Sequence, residues 1–362
     1  MTRFPHDQFA KEYLKELLSL LGEVKTSLDV PGEVRQIDVW FTPTSTETPY
    51  AQNLGLLGQL AITSAIFEPF RNAVTPSQIR SCMSKLFDLH AEKERLAKRE
   101  ERKITETELP WLWILTPTAS PALLEGFGFR VMVDGKDETT GVYVLASYQK
   151  TGLVAIHQLP HTPQTLWLRI LGKGGVQSRA IEELGALPTA NRLRDNALEL
   201  LYDLQAHLTT NRNLEVEDRE LIMALAPLYR QQMDAAIQQG IEQGIRQGQR
   251  IVVESFLQGR FGKLSELMTA SLEALSALPP NDLTRLLLQL SQLKDDEIGI
   301  QQGERAIVEN LLQFRFGELD EQLGEMVESF LVLPPQELRG VLEQLPDLSG
   351  DELLRLLRDL QN

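Results

Sequence analysis

The chain has 362 residues, enough for two or three compact units, and 36 Lys and Arg against 51 Asp and Glu give it a net charge of −15. Its single cysteine, Cys82, excludes an intrachain disulfide and fits a reducing compartment, so a cytoplasmic location is expected. No apolar run approaches the roughly 18–20 residues that cross a bilayer, and the start of the chain has no signal-peptide core, so no membrane association is expected.

In chain order, Phe9, Tyr13, Leu14, Leu17, Leu18 and Leu21 recur at helical spacing and predict a helix over 7–21, ended by Gly22. Strands are expected over 23–30, 34–41 and 65–71, separated by the turn-rich residues 42–49 and the segment 55–60. Thr75-Pro76 opens a long helix to about Lys103, and strands follow at 111–115 and 141–146.

Two acids interrupt these apolar strands. Asp38 sits among Ile37, Val39, Trp40 and Phe41, and Glu68 among Ile66, Phe67, Pro69 and Phe70. Burying an unpaired carboxylate costs several kcal/mol, so each acid requires a cation or a metal as partner, unless it is an ordinary salt-bridged structural acid. Mg²⁺ is held by as few as one or two carboxylates together with water, so this pair is chemically sufficient for it.

The order helix, three strands, helix, strand, with Asp on the second strand and Glu on the third, resembles the restriction-endonuclease-like α/β core of the PD-(D/E)XK nuclease superfamily. Within it, His6-Asp7-x-Phe9-x-Lys11 and Val34-Arg-Gln-Ile-Asp-Val-Trp40 resemble the recombination-promoting nuclease/transposase group of bacterial proteins. The resemblance covers roughly residues 4–170. It implies Mg²⁺-dependent hydrolysis of DNA phosphodiesters, with Asp38 and Glu68 as metal ligands and an acid of the first helix, such as Glu16, assisting. The family lysine two residues after the third-strand acid is here Phe70, and Arg71 points to the other face by strand alternation. Lys85 or Arg80 of the following helix is the expected substitute, with Lys85 assigned the catalytic role.

Residues 151–230 read as a strand at 154–159 and helices at 162–171, 196–208 and 217–228. His157 and His161 straddle Pro160 too irregularly for a metal site and read as structural. Gly172-Lys-Gly-Gly175 lacks the Walker spacing and reads as a helix-end loop. Neither a Gly-x-Ser-x-Gly elbow nor a paired-cysteine motif is present.

A period-four joint follows, in which Ile237, Ile241 and Ile245 form one helical row and Gly240, Gly244 and Gly248 the adjacent one. Each glycine costs about 0.8–1.0 kcal/mol of helix propensity but lets a second backbone approach. Two readings stand: self-association through 237–248, giving a homo-oligomer, or a solvated linker.

The last third is a tandem repeat with a constant offset of 55 residues: Arg260-Phe-Gly recurs at Arg315-Phe-Gly, and Leu278-Pro-Pro at Leu333-Pro-Pro. Each copy reads as three short helices, and the unit resembles a small C-terminal domain of unknown function often attached to such nucleases. Leucine dominates it, and it has no cluster of ligand side chains.

The expected organisation is therefore a nuclease-like α/β domain (1–170), a helical extension (171–230), the joint (231–247) and two all-α repeats (248–302 and 303–362). Residues 1–170 carry a net charge of −2 and residues 171–362 one of −13, so DNA contact is expected on the N-terminal domain. Its one dense basic stretch, 93–103, reads as a solvated helix end rather than a DNA patch. The competing functional reading is a catalytically degenerate nuclease fold that serves as a self-associating or partner-binding scaffold.

Overall fold

The computed structural model describes residues 5–29, 36–44, 49–134, 137–210, 214–317, 321–345 and 347–361. Val30, Val34 and Arg35, assigned to strand ends from the sequence, lie outside them. The chain divides into two units, residues 1–232 and 233–362.

The first unit is mixed α/β. Helix α1 (Pro5–Leu18) leads into strands β1 (Gly22–Asp29) and β2 (Gln36–Pro43), then short helices α2 (Pro49–Asn53) and α3 (Leu56–Leu60), and strand β3 (Ala65–Pro69). Helix α4 (Pro76–Arg99) crosses to β4 (Trp111–Thr116), followed by α5 (Pro121–Phe127), β5 (Arg130–Asp134), β6 (Asp137–Val144) and β7 (Thr151–Ala155). The seven strands form one sheet in the order β1-β2-β3-β4-β7-β6-β5. β1, β2 and β3 pair antiparallel, whereas β3 pairs parallel with β4 through the α4 crossover, as a parallel connection requires.

Strand alternation gives the sheet two apolar faces. Ala65, Phe67, Trp113, Leu115 and Val154 face a core completed by Tyr13, Leu14 and Leu17 of α1. Ile66, Leu112, Ile114 and Leu153 face Ile79, Cys82, Leu86 and Leu89 of α4. The buried stripe on α4 advances by three, four and three residues, and the helix is opened by a capping box in which Thr75 and Gln78 bond each other's backbone amides.

Helices α6 (Leu166–Arg169), α7 (Gly175–Gly185) and α8 (Arg192–Thr209) and the start of α9 (Val216–Phe261) complete the unit. Residues 171–230, read as an extension, put Leu193, Leu201, Leu204, Leu221 and Leu225 into the same core as Phe41 and Phe67. Tyr13 ties α1 to this layer, its hydroxyl donating to the Trp167 carbonyl at 3.0 Å.

The sequence-based boundaries shift in places. The first helix stops at Leu18 and the fourth at Arg99. The strand expected at 154–159 is Thr151–Ala155, running into a 3-10 turn over Ile156–Gln158. The helix expected at 162–171 is a single α turn after a 3-10 turn. Neither α5 nor β5 was expected, since their short, mixed patterns carry little periodicity.

The second unit is all-α. The segments read separately as 217–228, the 231–247 joint and the opening of the first repeat are one continuous 46-residue helix, α9. After it come α10 (Glu266–Ser276), α11 (Pro280–Ser291), α12 (Glu297–Phe316), α13 (Glu321–Val332), α14 (Pro335–Gln344) and α15 (Gly350–Gln361). Helix starts recur at the sequence offset of 55, at Glu266 and Glu321 and at Pro280 and Pro335. Side chains from both segments, Leu257, Leu272 and Leu286 with Ile307, Phe330 and Leu342, share one core.

Candidate functional site

Glu68 is the penultimate residue of β3, after the apolar run Ala65-Ile66-Phe67 and before Pro69, which still pairs with Leu115 of β4. The antiparallel register pairs Val39 with Phe67, and one step further it sets Asp38 opposite Glu68. The two acids are thus cross-strand neighbours, as their separate positions in the sequence only suggested. The Asp38 backbone amide donates to the Glu68 carboxylate.

Glu68 is only 2% exposed. Lys85 reaches it from α4, its Nζ 2.9 Å from Oε1 and 2.8 Å from Oε2. This is the helix lysine picked out as the substitute for the residue at position 70. It lies between Cys82 and Leu86 at the edge of the buried stripe, so its stem packs while its ammonium turns to the acid. Cys82 adds its thiol, 3.8 Å from Oε2. Phe70 instead packs into the α4-side core. Arg80 is exposed.

Burial, reinforced by the neighbouring Asp38 charge, raises the Glu68 carboxyl to a pKa of about 7 even though Lys85 opposes the shift. Burial also pushes the Cys82 thiol far up, helped by the Glu68 charge, so it stays protonated.

Asp38 has its own lysine. Lys11 Nζ lies 2.8 Å from Asp38 Oδ1 and 2.9 Å from Asp7 Oδ2, which links α1 to β2. Burial works against its charge, but the hydrogen bonds to Asp38 and Asp7 prevail and raise its pKa. Lys11 and Asp7 sit one helical turn apart on α1, so one face of the helix presents both.

Glu16, expected to assist as a first-helix ligand, is turned elsewhere: it accepts a 2.5 Å hydrogen bond from Asn196 of α8. It lies nine residues beyond Asp7, two and a half helical turns along, and so serves the α1–α8 contact. The first-helix acid beside the site is Asp7.

A cleft of about 580 Å³ opens here, lined by Asp7, Asp38, Phe70, Asn72 and Gln177 among others. A second polar cluster also lines it. Asp218, buried in the first turn of α9, accepts from Arg71 Nη2 at 2.9 Å and lies 2.8 Å from His6 Nε2. A carboxylate in the first turn is also favoured by the helix dipole. Arg71 lies beyond the end of β3, so strand alternation does not set its direction, and its guanidinium is engaged by Asp218. Asp218 could not be picked out from sequence, because it is 147 residues from Arg71 and 212 from His6.

Other expectations concern side chains outside the cleft. His161 Nδ1 lies 3.3 Å from Arg169, and His157 Nε2 accepts from the Lys173 amide at 3.3 Å, both consistent with structural roles. In the basic stretch, Lys93 lies over the Trp40 ring and Arg102 bridges Glu100 and Glu108.

Among the described residues, no group of three or more His, Cys, Asp or Glu side chains is gathered as a metal cage. Asp38 and Glu68, the latter destabilised by burial and by the Asp38 charge, are the two carboxylates that could serve as ligands to a hydrated divalent ion, with Lys11 and Lys85 on their oxygens in this structure. Among the described residues, no helix is long and apolar enough to cross a membrane. No protein-family model, no curated protein and no solved structure matches the chain.

Proposed function

We propose that the N-terminal unit is a metal-dependent DNA endonuclease of recombination or transposase type. The observation that carries this reading is the cross-strand pairing of Asp38 with Glu68, with Lys85 supplied from the next helix. The path α1, antiparallel β1-β2-β3, crossover α4, parallel β4 agrees with the restriction-endonuclease-like core that the sequence resembles.

In this reading Asp38 and Glu68 would hold Mg²⁺. The ion would polarise the phosphate and lower the pKa of a bound water. Glu68, raised to about 7 by burial and the Asp38 charge, would gain a countercharge that stabilises its ionised form. Lys85 holds Glu68 in place and would add positive charge near the phosphate. The near-neutral balance of residues 1–170 leaves this unit the less repulsive surface for DNA.

The test is cleavage of supercoiled plasmid by the full chain with Mg²⁺ or Mn²⁺, beside Asp38→Ala and Glu68→Ala. Metal-dependent nicking lost in both variants is the expected result. Equal background in all three folded proteins would overturn the assignment and favour the scaffold reading.

One observation favours a scaffold role alongside the enzymatic one. Ile237, Ile241 and Ile245 are all about half exposed on α9, and a Cβ added at Gly240, Gly244 or Gly248 meets nothing within 4 Å. Ridges and grooves with period four interdigitate between helices crossing at about −50°, so an isoleucine ridge beside a glycine groove is complementary to a second copy of itself. We infer self-association through 237–248. Light scattering of the full chain beside Ile241→Lys is expected to show loss of an oligomer, and an unchanged mass would overturn it.

A further inference from the structure

Resting on the nuclease reading, we propose that His6, held by Asp218, is the base that takes the proton of the attacking water in the cleft shared with Asp38.

Three observations support it. First, His6 and Asp218 form a histidine–carboxylate pair, Nε2 to Oδ1 at 2.8 Å, and Asp218 is itself fixed by Arg71 at 2.9 Å on the same oxygen. A carboxylate that accepts from one ring nitrogen fixes the tautomer and leaves the other, Nδ1, with its lone pair free, which is the arrangement a general base needs. Second, the pair lines the same cleft as Asp38 and Asp7, so a phosphodiester bound in that cleft beside Asp38 would lie in the space the pair borders. Third, the cleft has unmet hydrogen-bonding capacity: Arg71 Nε and Gln177 Oε1 are buried without a partner among the described residues, and Gln177 is 2% exposed. A phosphate oxygen on Arg71 and a donor on Gln177 would satisfy both.

The charge environment keeps the imidazole in the form a base requires. Burial and the Arg71 guanidinium lower its pKa, and Asp218 and Glu215 of the α9 region oppose them without reversing the shift. Asp7, the next residue on α1, is occupied by Lys11. His6 is therefore neutral at pH 7.

Water oxygen bonds to phosphorus while its proton passes to His6 Nδ1. The scissile P–O bond breaks with its electron pair going to the leaving oxygen, which takes a proton from solvent. The imidazolium then returns its proton to solvent, and Asp218 stabilises the transient positive charge.

The experiment is the pH dependence of plasmid nicking by the full chain with Mn²⁺, comparing wild type, His6→Gln and Asp218→Asn, with Asp38→Ala as the inactive reference and thermal unfolding as the folding control. A positioned base contributes roughly 10²–10⁴-fold. His6→Gln is expected to lose at least 100-fold in rate while folded. Asp218→Asn, which removes the charge that supports the imidazolium, is expected to move an acid limb of the profile to lower pH, a shift that a purely structural contact would not produce. Metal-dependent nicking that disappears in Asp38→Ala but survives unchanged in His6→Gln would overturn the dyad and leave the nuclease standing. Wild-type protein that does not nick at any pH would overturn both.

Discussion

Lys85 and Glu68 form a two-pronged contact: one ammonium lies within 2.9 Å of both oxygens of an almost fully buried carboxylate. The lysine comes from a helix and the acid from a strand 17 positions earlier, so the pair fastens α4 to the sheet at the point where Asp38 also arrives. Structure and proposed chemistry both depend on this contact, and the two dependences can be separated by measurement.

Removing the lysine leaves a buried acid without its cation. Breaking a buried ion pair from one side costs about 3–5 kcal/mol, so Lys85→Met is expected to lose that order of stability in urea unfolding at pH 8. The double variant Lys85→Met with Glu68→Gln removes both charges and should be less destabilised than the sum of the singles. Strict additivity would mean that the two side chains do not interact.

The raised pKa of Glu68 gives stability a sign with pH. Between its ordinary value of 4.5 and about 7 the folded chain binds more protons at this site than the unfolded chain, so its contribution to stability falls as pH rises through that window. The midpoint of thermal unfolding of the wild type should therefore decline relative to Glu68→Gln from pH 4.5 to 7. A gap between the two proteins that stays constant with pH would contradict the assignment.

Divalent ions should act in the opposite sense. An ion binding the folded state at ten times its Kd adds about 1.4 kcal/mol, which for a domain of this size is a rise of a few degrees in Tm. Mg²⁺ should produce that rise in the wild type, more weakly at pH 6 than at pH 8 because Glu68 must lose its proton, and not in Asp38→Ala. Calorimetric scans with and without Mg²⁺ check this.

Away from the site, Gly152 is a packing requirement of the central sheet. A Cβ there would lie 2.0 Å from Trp113 Cζ3, and Trp113 is itself held by the hydrogen bond from its indole nitrogen to the Leu60 carbonyl at 3.1 Å. Overpacking of this kind costs about 1–3 kcal/mol or more, so Gly152→Ala should lower the unfolding free energy by that order, seen as a lower urea midpoint with the denaturant slope unchanged.

The local pattern determined much of this protein by itself. Helical spacing from Phe9 to Leu18, the capping box at Thr75, the β-branched and aromatic runs around Asp38 and Glu68, and the 55-residue recurrence are all written in short stretches, where periodicity and caps act directly. Lys85 was within reach of the same reasoning, because an acid in an apolar strand demands a cation and the next helix begins only a few residues away. Tertiary structure alone decided the rest. Which first-helix acid meets Asp38 depends on how α1 is rotated against the sheet, and that rotation is set by Tyr13, Leu14 and Leu17 in the core, so Asp7 faces the cleft and Glu16 faces Asn196. Asp218 joins His6 and Arg71 because the helical layer after residue 170 packs onto the same core, a relationship between residues more than a hundred positions apart that no local period encodes.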